Sequence, residues 1–206
     1  MKLKFLMLVC LIFSSMQLLQ GAETLKIDVA SIDRERIMKA AALAMKLEPV
    51  TITTFPAKLS EGGINDFYSN GDYWWPNPKK PNGLPYIKKD GETNPENFGK
   101  HRLTLKALRD GVAALAAAYK LTGDERYVTK ATELLKVFFL DAKTRMNPNL
   151  QYAQAIPGVS PGRGIGIIDA LHLIEIPLAV KTLENSKSFP KESGAELRLW
   201  FGKLAN

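Results

Sequence analysis

The chain has 206 residues, of which 46% are hydrophobic and 24% are charged, as is normal for a globular protein with one domain of ordinary size. Its formal net charge of +7 permits an anionic partner, which could be nucleic acid, a membrane surface or an acidic polysaccharide. The only cysteine is Cys10, and the chain has two histidines, so the sequence excludes a disulfide framework and a thiolate metal site. We predict neither a metal nor another cofactor.

Residues 1–22 have the three parts of a secretory signal peptide. Lys2 and Lys4 form a basic start, residues 5–13 are apolar, and Gly21-Ala22 offers a cleavage site. The apolar run is too short to cross a bilayer. We therefore predict export to the periplasm or the outside, with no membrane attachment after cleavage.

A first helix is predicted to start after Ser31 or Asp33 and to end before Pro49. The β-branched residues between Val50 and Phe55 then favour a short extended piece. The buried face of the helix is expected to contain Ile37, Ala41, Leu43, Ala44 and Leu47.

The segment from Gly71 to about Lys100 has neither a helical nor a strand period. It begins Gly-Asp-Tyr-Trp-Trp-Pro-Asn-Pro and carries two adjacent tryptophans and several prolines. Irregular segments of this length are functional or disordered, and the aromatic content argues against disorder. Because indole rings suit the C–H faces of a sugar, we expect one of Trp74 and Trp75 to line a cleft and the other to lie in the core.

Two pairs of lysines form the densest basic clusters of the chain. They are Lys79-Lys80 and Lys88-Lys89, and both lie in this aromatic loop. Elsewhere the Lys and Arg residues are scattered instead of forming a stripe, which argues against a nucleic-acid partner. The clusters favour an anionic ligand at the loop.

Helical periodicity dominates from His101 onward. Gly123 and Asp124 are typical of a helix end followed by a new N-cap, so residues 101–139 are predicted to form an antiparallel helical hairpin. A second irregular segment, 146–158, leads into the glycine run 162–166. Further helices are predicted over 167–183, with a kink or break at Pro177, and over 191–204.

The predicted fold is therefore all-α, with helical hairpins separated by long aromatic and polar loops. Long inserted loops favour an α/α toroid over a four-helix bundle, whose loops are short. The predicted helices are too few to close a toroid, and the sequence stops at Leu204-Ala205-Asn206. We expect residues 23–206 to be the N-terminal part of an incomplete toroid domain that is truncated at its C-terminus.

Polar residues near the glycine run are candidates for ligand contacts. Arg163 lies between two glycines and could meet a carboxylate, either of a ligand or of Asp169 or Glu175. Gln154 offers neutral donors and acceptors that suit sugar hydroxyls. The alternative is that such residues only cap helices and turns.

The two histidines have different contexts. His101 opens a helix and could act as an acid, a base or a carboxylate ligand, although a capping or surface position is more common there. His172 lies among aliphatic residues, which favours a buried core position.

The loop motifs together resemble those of the alginate lyase family of secreted bacterial polysaccharide lyases. The resemblance rests on the segments 71–78, 83–86, 90–91, 147–154 and 162–169. It implies an α/α toroid fold and cleavage of uronate polysaccharides by β-elimination, without a metal. It also implies that the substrate, an anionic polysaccharide such as alginate or another polyuronate, is contacted by Tyr73, Trp74, Trp75, Gln154 and Arg163.

No catalytic residue is carried over by the resemblance. Members of the family have an Asn-Asn-His segment followed by Tyr and Arg, and no Asn-His pair occurs in this sequence. We therefore expect the chain alone to be inactive as a lyase. Two alternatives stay open: a module that binds acidic glycans without cutting them, and a helical scaffold protein whose tryptophans serve stability.

Overall fold

The computed structural model describes residues 28–205. The predicted signal peptide lies outside this range. The chain divides into two compact units, Met1–Asp33 and Arg34–Asn206. In the described part of the first unit, the Asp28 carboxylate accepts a hydrogen bond from the backbone N–H of Ala30 at 3.0 Å. Apart from the first residues of the helix Val29–Ala44, all other features below belong to the second unit.

Helices dominate the described residues, and the strands are few and short. The helices are α1 (Val29–Ala44), α2 (Lys100–Thr122), α3 (Glu125–Leu135), α4 (Glu175–Leu183) and α5 (Lys191–Leu204). The strands are β1 (Tyr68–Asn70), β2 (Trp74–Trp75), β3 (Ile87–Lys88) and β4 (Tyr152–Ala155). A 3₁₀ turn (Ile52–Thr54), a π-helical turn (Lys136–Leu140) and a 3₁₀ helix (Gly164–His172) complete the elements. None of these helices is long and apolar enough to cross a membrane.

The hairpin of α2 and α3 forms as the sequence predicts. Gly123 adopts a left-handed φ of 71° and donates its N–H to the carbonyl of Tyr119. Asp124 then caps α3 by accepting from the N–H of Arg126 at 3.0 Å. A glycine is favoured at this position because a Cβ is strained at positive φ.

The core of this unit lies around α2, which packs against both α3 and α4. Helix α5 packs against the π-helical turn. There the ring centroids of Phe139 and Trp200 lie 4.6 Å apart in an edge-to-face arrangement. The Trp200 indole N–H also donates to the carbonyl of Met146 at 2.8 Å. The largest fully buried side chains are Tyr68, Phe67, Phe138, Phe139, Ile52, Leu105, Leu115, Leu135, Met146, Ile176, Leu183 and Leu197.

Two small sheets lie among the helices. Strands β1 and β4 pair in parallel, with Tyr68 opposite Tyr152 and Asn70 opposite Ala155, and an irregularity between these pairs shifts the register. Strands β2 and β3 form an antiparallel ribbon inside the aromatic loop. The first sheet joins the residues directly before the aromatic loop to the second irregular segment, which lies beyond the α2–α3 hairpin in sequence.

Three local predictions were wrong. Leu43 was expected on the buried face of α1, but it is 64% exposed. The piece predicted as extended contains the 3₁₀ turn, because the Thr51 hydroxyl accepts from the N–H of Thr53 and the Thr54 hydroxyl accepts from the N–H of Thr51. The helix predicted over 167–183 is divided into the 3₁₀ helix and α4, and Pro177 lies in the first turn of α4, where a missing N–H is tolerated.

His101 is a buried structural residue, so neither the catalytic nor the surface position considered for it is correct. Its Nδ1 accepts from the N–H of Tyr68 at 3.0 Å, and its Nε2 donates to the carbonyl of Phe55 at 2.9 Å. Burial lowers the pKa of His101, although its hydrogen bond to the carbonyl of Phe55 acts in the opposite direction. The neutral imidazole thus joins β1 to the residues after the 3₁₀ turn.

The burial of neutral His101 predicts that the stability of the protein depends on pH. The folded-state pKa of His101 is lowered, so below about pH 6.5 the unfolded chain binds a proton more readily than the folded one. We expect the urea midpoint to fall between pH 7 and pH 5. The His101→Gln variant should be less stable at pH 7, and its urea midpoint should change much less between pH 7 and pH 5.

The matched control is His172→Gln, because these two are the chain's only histidines and the pKa of His172 is also lowered. Its half-buried ring should contribute the smaller part of the slope. If the pH dependence of the urea midpoint disappeared in His172→Gln and persisted in His101→Gln, its assignment to His101 would be contradicted.

Candidate functional site

The guanidinium of Arg102, in the first turn of α2, connects this helix to two segments that are distant from it in sequence, residues 70–72 and the 3₁₀ helix that contains Asp169. It donates to the carboxylate of Asp72 at 2.6 Å, to the carboxylate of Asp169 at 2.8 Å and to the carbonyl of Asn70 at 3.1 Å. Burial alone would lower the pKa of Arg102, but the hydrogen bonds to Asp72 and Asp169 and their negative charges raise it above its ordinary value. Arg102 is therefore a fixed cation that holds the aromatic loop against β1 and the 3₁₀ helix.

Asp169 is 3% exposed, yet both of its carboxylate oxygens have partners. One accepts from Arg102, and the other accepts from the hydroxyl of Ser69 at 2.6 Å. The Ser69 hydroxyl in turn accepts from the backbone N–H of Gln154 at 2.8 Å. A buried carboxylate is tolerated only when it is paired and hydrogen-bonded in this way. The network ends at Gln154.

Gln154 combines two unfavourable features. Its backbone adopts a φ of 55°, the only positive φ of a non-glycine residue in the part of the chain that the structure describes. Its side chain is 4% exposed, and within residues 28–205 the amide Nε2 has no hydrogen-bond partner. Strained backbone and an unpaired buried donor each cost free energy and are concentrated at functional sites.

Arg163 is held by Gln154. Its Nε donates to the backbone carbonyl of Gln154 at 2.6 Å, and its Nη2 lies 3.3 Å from the side-chain oxygen Oε1. No carboxylate among the described residues pairs with Arg163. The pairing of Asp169 or Glu175 with Arg163, which the sequence left open as one possibility, is therefore not formed; Asp169 pairs with Arg102, 67 residues away in sequence.

Gly71 allows Trp74 and Arg163 to approach each other. A Cβ placed on Gly71 would lie 2.6 Å from Nη2 of Arg163 and 2.7 Å from Cδ1 of Trp74, so a larger residue there would displace one or both side chains. Trp74 is half-buried. The structure thus brings together Trp74, Gln154 and Arg163, three of the five predicted contact residues.

The other two predicted contact residues lie apart from this group. Tyr73 is 45% exposed. Trp75 is half-buried; it donates its indole N–H to the carbonyl of Glu92 at 2.9 Å, and the Lys89 ammonium lies 4.3 Å from its ring. Neither tryptophan belongs to the buried core, so the expectation that one would lie there is wrong. Adjacent strand residues point to opposite faces, which separates Trp75 from Trp74.

The glycine run brings Arg163 close to β4. A Cβ on Gly162 would lie 1.9 Å from the carbonyl oxygen of Gln151, and a Cβ on Gly166 would lie 2.7 Å from the Cβ of Ala153. An open cavity of about 370 Å³ lies beside the run, and Arg163 is its only charged lining residue among those described. Its walls are formed by Leu150, Gln151, Gly162, Arg163, Gly164 and Ile167.

The lone pairs of both histidines are engaged. Both ring nitrogens of His101 form hydrogen bonds with backbone groups. His172 is half-buried instead of lying in the core as predicted, and its Nδ1 accepts from Nη1 of Arg109 at 3.1 Å. The proton of neutral His172 is then on Nε2, which makes that atom a donor. Neither imidazole presents a free basic nitrogen to the cavity.

No group of three or more His, Cys, Asp or Glu residues among residues 28–205 could hold a metal ion. The carboxylates of Asp72 and Asp169 pair with Arg102 instead. The geometry can therefore offer a ligand the guanidinium of Arg163 at the cavity, with the half-buried indole of Trp74 near it and the buried amide of Gln154 behind it.

The sequence model of the alginate lyase family matches residues 52–206. The chain belongs to the alginate lyase family. A crystal structure of an alginate lyase from Bacteroides ovatus is similar in fold, with a TM-score of 0.76 and 38% sequence identity. The match covers 85% of this chain and 49% of the Bacteroides ovatus chain, so this chain spans about half the length of that relative. A comparison with curated protein sequences gave no match.

Membership of the alginate lyase family confirms the resemblance that the loop motifs indicated. It supports a polysaccharide lyase at the level of the family. Sequence reasoning missed Arg102 and Ser69 as members of the site, and it gave Asp169 the wrong partner. The sequence has no signal for these contacts, which join residues 67 to 100 positions apart.

Two glycines of the run provide a test of the close approach between the run and β4. Gly162→Ala should destabilise the protein by roughly 1–3 kcal/mol or more, because the new Cβ meets a backbone carbonyl that cannot move aside like a side chain. Gly164→Ala is the control, since a Cβ there has nothing within 4 Å. Urea unfolding measures both; equal stability of the two variants would contradict the packing described.

Proposed function

We propose that this chain forms the substrate-binding part of a lyase that cleaves alginate or a related polyuronate by β-elimination. The observation that carries the proposal is the meeting of Arg163, Gln154 and Trp74 around Gly71, beside an open cavity. Membership of the alginate lyase family supports the class of reaction. The helical hairpin and its long loops are consistent with part of an α/α toroid, which we propose as the architecture.

Arg163 is suited to hold the carboxylate of a uronate. Its Nε and Nη2 are occupied by Gln154, while Nη1 makes no hydrogen bond within residues 28–205. Two hydrogen bonds to a fixed partner orient the planar guanidinium before a ligand arrives, which lowers the entropic cost of binding. A carboxylate at Nη1 would gain a charge-assisted hydrogen bond.

Gln154 provides the second polar contact in this proposal. Its Nε2 is buried and unpaired, so a ligand oxygen that accepted from it would remove an existing penalty instead of breaking a protein hydrogen bond. Its Oε1 faces Arg163, which fixes the orientation of the amide. A sugar hydroxyl or carboxylate oxygen beside Arg163 would reach this donor only after a local movement that exposes it.

The chemistry of β-elimination explains why such a site is needed. A base takes the proton from the carbon α to the uronate carboxylate, the bond between the β-carbon and the glycosidic oxygen breaks, and an acid gives a proton to that departing oxygen. The electron pair left by the proton forms the double bond between the α- and β-carbons. Negative charge develops on the carboxylate during proton removal, and cations or hydrogen-bond donors placed there stabilise it. Arg163 and Gln154 would supply that stabilisation.

A base is also required, and neither histidine offers a free basic nitrogen. We therefore propose that this chain alone binds polyuronate without cleaving it. The same observation favours the second candidate function, a module that holds acidic glycans without any elimination. The two differ in whether a longer form of the protein releases unsaturated uronate products.

Binding can be tested on the chain without residues 1–22 by titration calorimetry with oligomannuronate and oligoguluronate. Arg163→Gln should weaken binding by about tenfold or more, because a hydrogen bond to a charged group is worth roughly 1.5–3 kcal/mol. Arg126→Gln is the matched control, since Arg126 is largely exposed and pairs only locally with Asp124. Equal affinity for a neutral mannan of the same length would count against uronate recognition.

We also propose that residues 1–22 direct the chain to the periplasm or the outside, on the basis of their signal-peptide pattern. Expression of the full chain in a Gram-negative host should give a mature protein that begins at Glu23. N-terminal sequencing of the periplasmic fraction measures this. A protein that stays in the cytoplasm with Met1 intact would refute the prediction.

A further inference from the structure

Five large aliphatic residues form an exposed line along the 3₁₀ helix and α4. A 3₁₀ helix has three residues per turn, so residues three apart lie above one another on one side. The last step to Leu178 is four residues, which is the spacing of neighbours on an α-helix. The line consists of Ile165, Ile168, Leu171, Ile174 and Leu178, with exposed fractions of 55%, 42%, 61%, 58% and 66%. We call these five residues the aliphatic stripe.

One end of the stripe lies beside a groove between α2 and α4. The groove has a volume of about 290 Å³ and is apolar in its middle, with Lys120 and Thr182 toward one end and Glu175 toward the other. Its lining residues are Ala113, Ala116, Ala117 and Lys120 of α2, and Glu175, Leu178, Ala179 and Thr182 of α4. Alanines on one wall let the backbone of a further helix approach closely, and Leu178 would fill a hole on that helix. The shape therefore suits an α-helix.

The charges beside the groove restrict that helix further. Lys120 and Lys181 line one depression at the end of α2, and neither has an ion pair within residues 28–205. A helix that placed an acidic side chain opposite these two lysines would gain electrostatic complementarity. The expected occupant is amphipathic, with an aliphatic face toward the stripe and an acidic residue near Lys120.

The opposite end of the stripe borders the candidate site. Ile165 lies next to Gly164, and Gly164 and Ile167 line the cavity that contains Arg163. A helix packed along the stripe would therefore end at the edge of that cavity. It could place additional polar groups beside Arg163, a consequence that rests on the proposed function.

We propose that the aliphatic stripe is the docking surface for an amphipathic α-helix supplied by the other half of a lyase domain. The exposed stripe, the alanine-lined groove and the two lysines support this proposal, together with the length of the Bacteroides ovatus relative. This chain matches only 49% of the Bacteroides ovatus lyase, so that protein has as much chain again to pack against the matched half. Exposed aliphatic surface of this extent in a single segment marks an interface.

The test uses thiol labelling in a chimera. The segment of the Bacteroides ovatus lyase that this chain does not match, with any cysteines replaced, is fused after Asn206 of the chain from Glu23 onward, which has no cysteine of its own. Leu171→Cys, Leu178→Cys and, as control, Leu43→Cys are labelled with a maleimide in the free chain and in the chimera. Leu43 is 64% exposed and lies on α1, outside the stripe.

We expect the stripe thiols to react about 100-fold more slowly in the chimera than in the free chain, because a covered thiol reacts only through local opening. The Leu43→Cys rate should be the same in both. Leu178→Asp should leave the urea midpoint of the free chain unchanged and lower that of the chimera.

Three outcomes would overturn the proposal. The stripe thiols could react equally fast in both proteins, or the chimera could fail to unfold cooperatively. The free chain could instead sediment as a dimer in which these thiols are already protected, which would assign the stripe to a second copy. None of these readouts needs lyase activity, so loss of uronate binding alone would refute only the proposed function.

Discussion

The interaction of Arg102 with Asp169 is the constraint on which the rest of the site depends. Asp169 is almost fully buried, and a lone carboxylate there would be strongly unfavourable. Arg102 neutralises it and at the same time holds Asp72 and the carbonyl of Asn70. The planar guanidinium is needed for this arrangement, because a lysine ammonium would not present three donors in fixed directions. The position of the aromatic loop is therefore tied to a charge buried beneath it.

The strain at Gln154 follows from this arrangement. The bond from its N–H to Ser69 places it on the buried network, while its carbonyl and side-chain oxygen both face Arg163. A left-handed backbone allows both directions at one residue, at a cost of roughly 1–3 kcal/mol. A residue that breaks the local rules of backbone and hydrogen bonding in an otherwise regular fold is what a binding site is expected to contain.

The sequence predicted the α2–α3 hairpin and α5 well, the other helices less well and the site only in part. Helix α5 has the predicted bounds, and α2 begins one residue before the predicted start, because an amphipathic period and its caps are local properties. The exposed position of Leu43 and the 3₁₀ turn capped by Thr51 were missed, since these depend on neighbours and on side-chain competition for backbone hydrogen bonds. The meeting of Trp74 with Arg163, and of Arg102 with Asp169, depends on the pairing of β1 with β4 and could not be derived from spacing.

The parallel pairing of β1 and β4 also has a consequence for the order in which the protein folds. The bond between Ser69 and Gln154 closes a loop of 85 residues, whereas the α2–α3 hairpin is closed by a turn of two residues. Contacts close in sequence form quickly, and distant pairings have to wait for the loop between them to be ordered. The hairpin is thus expected to be native while the ligand-binding residues are still apart.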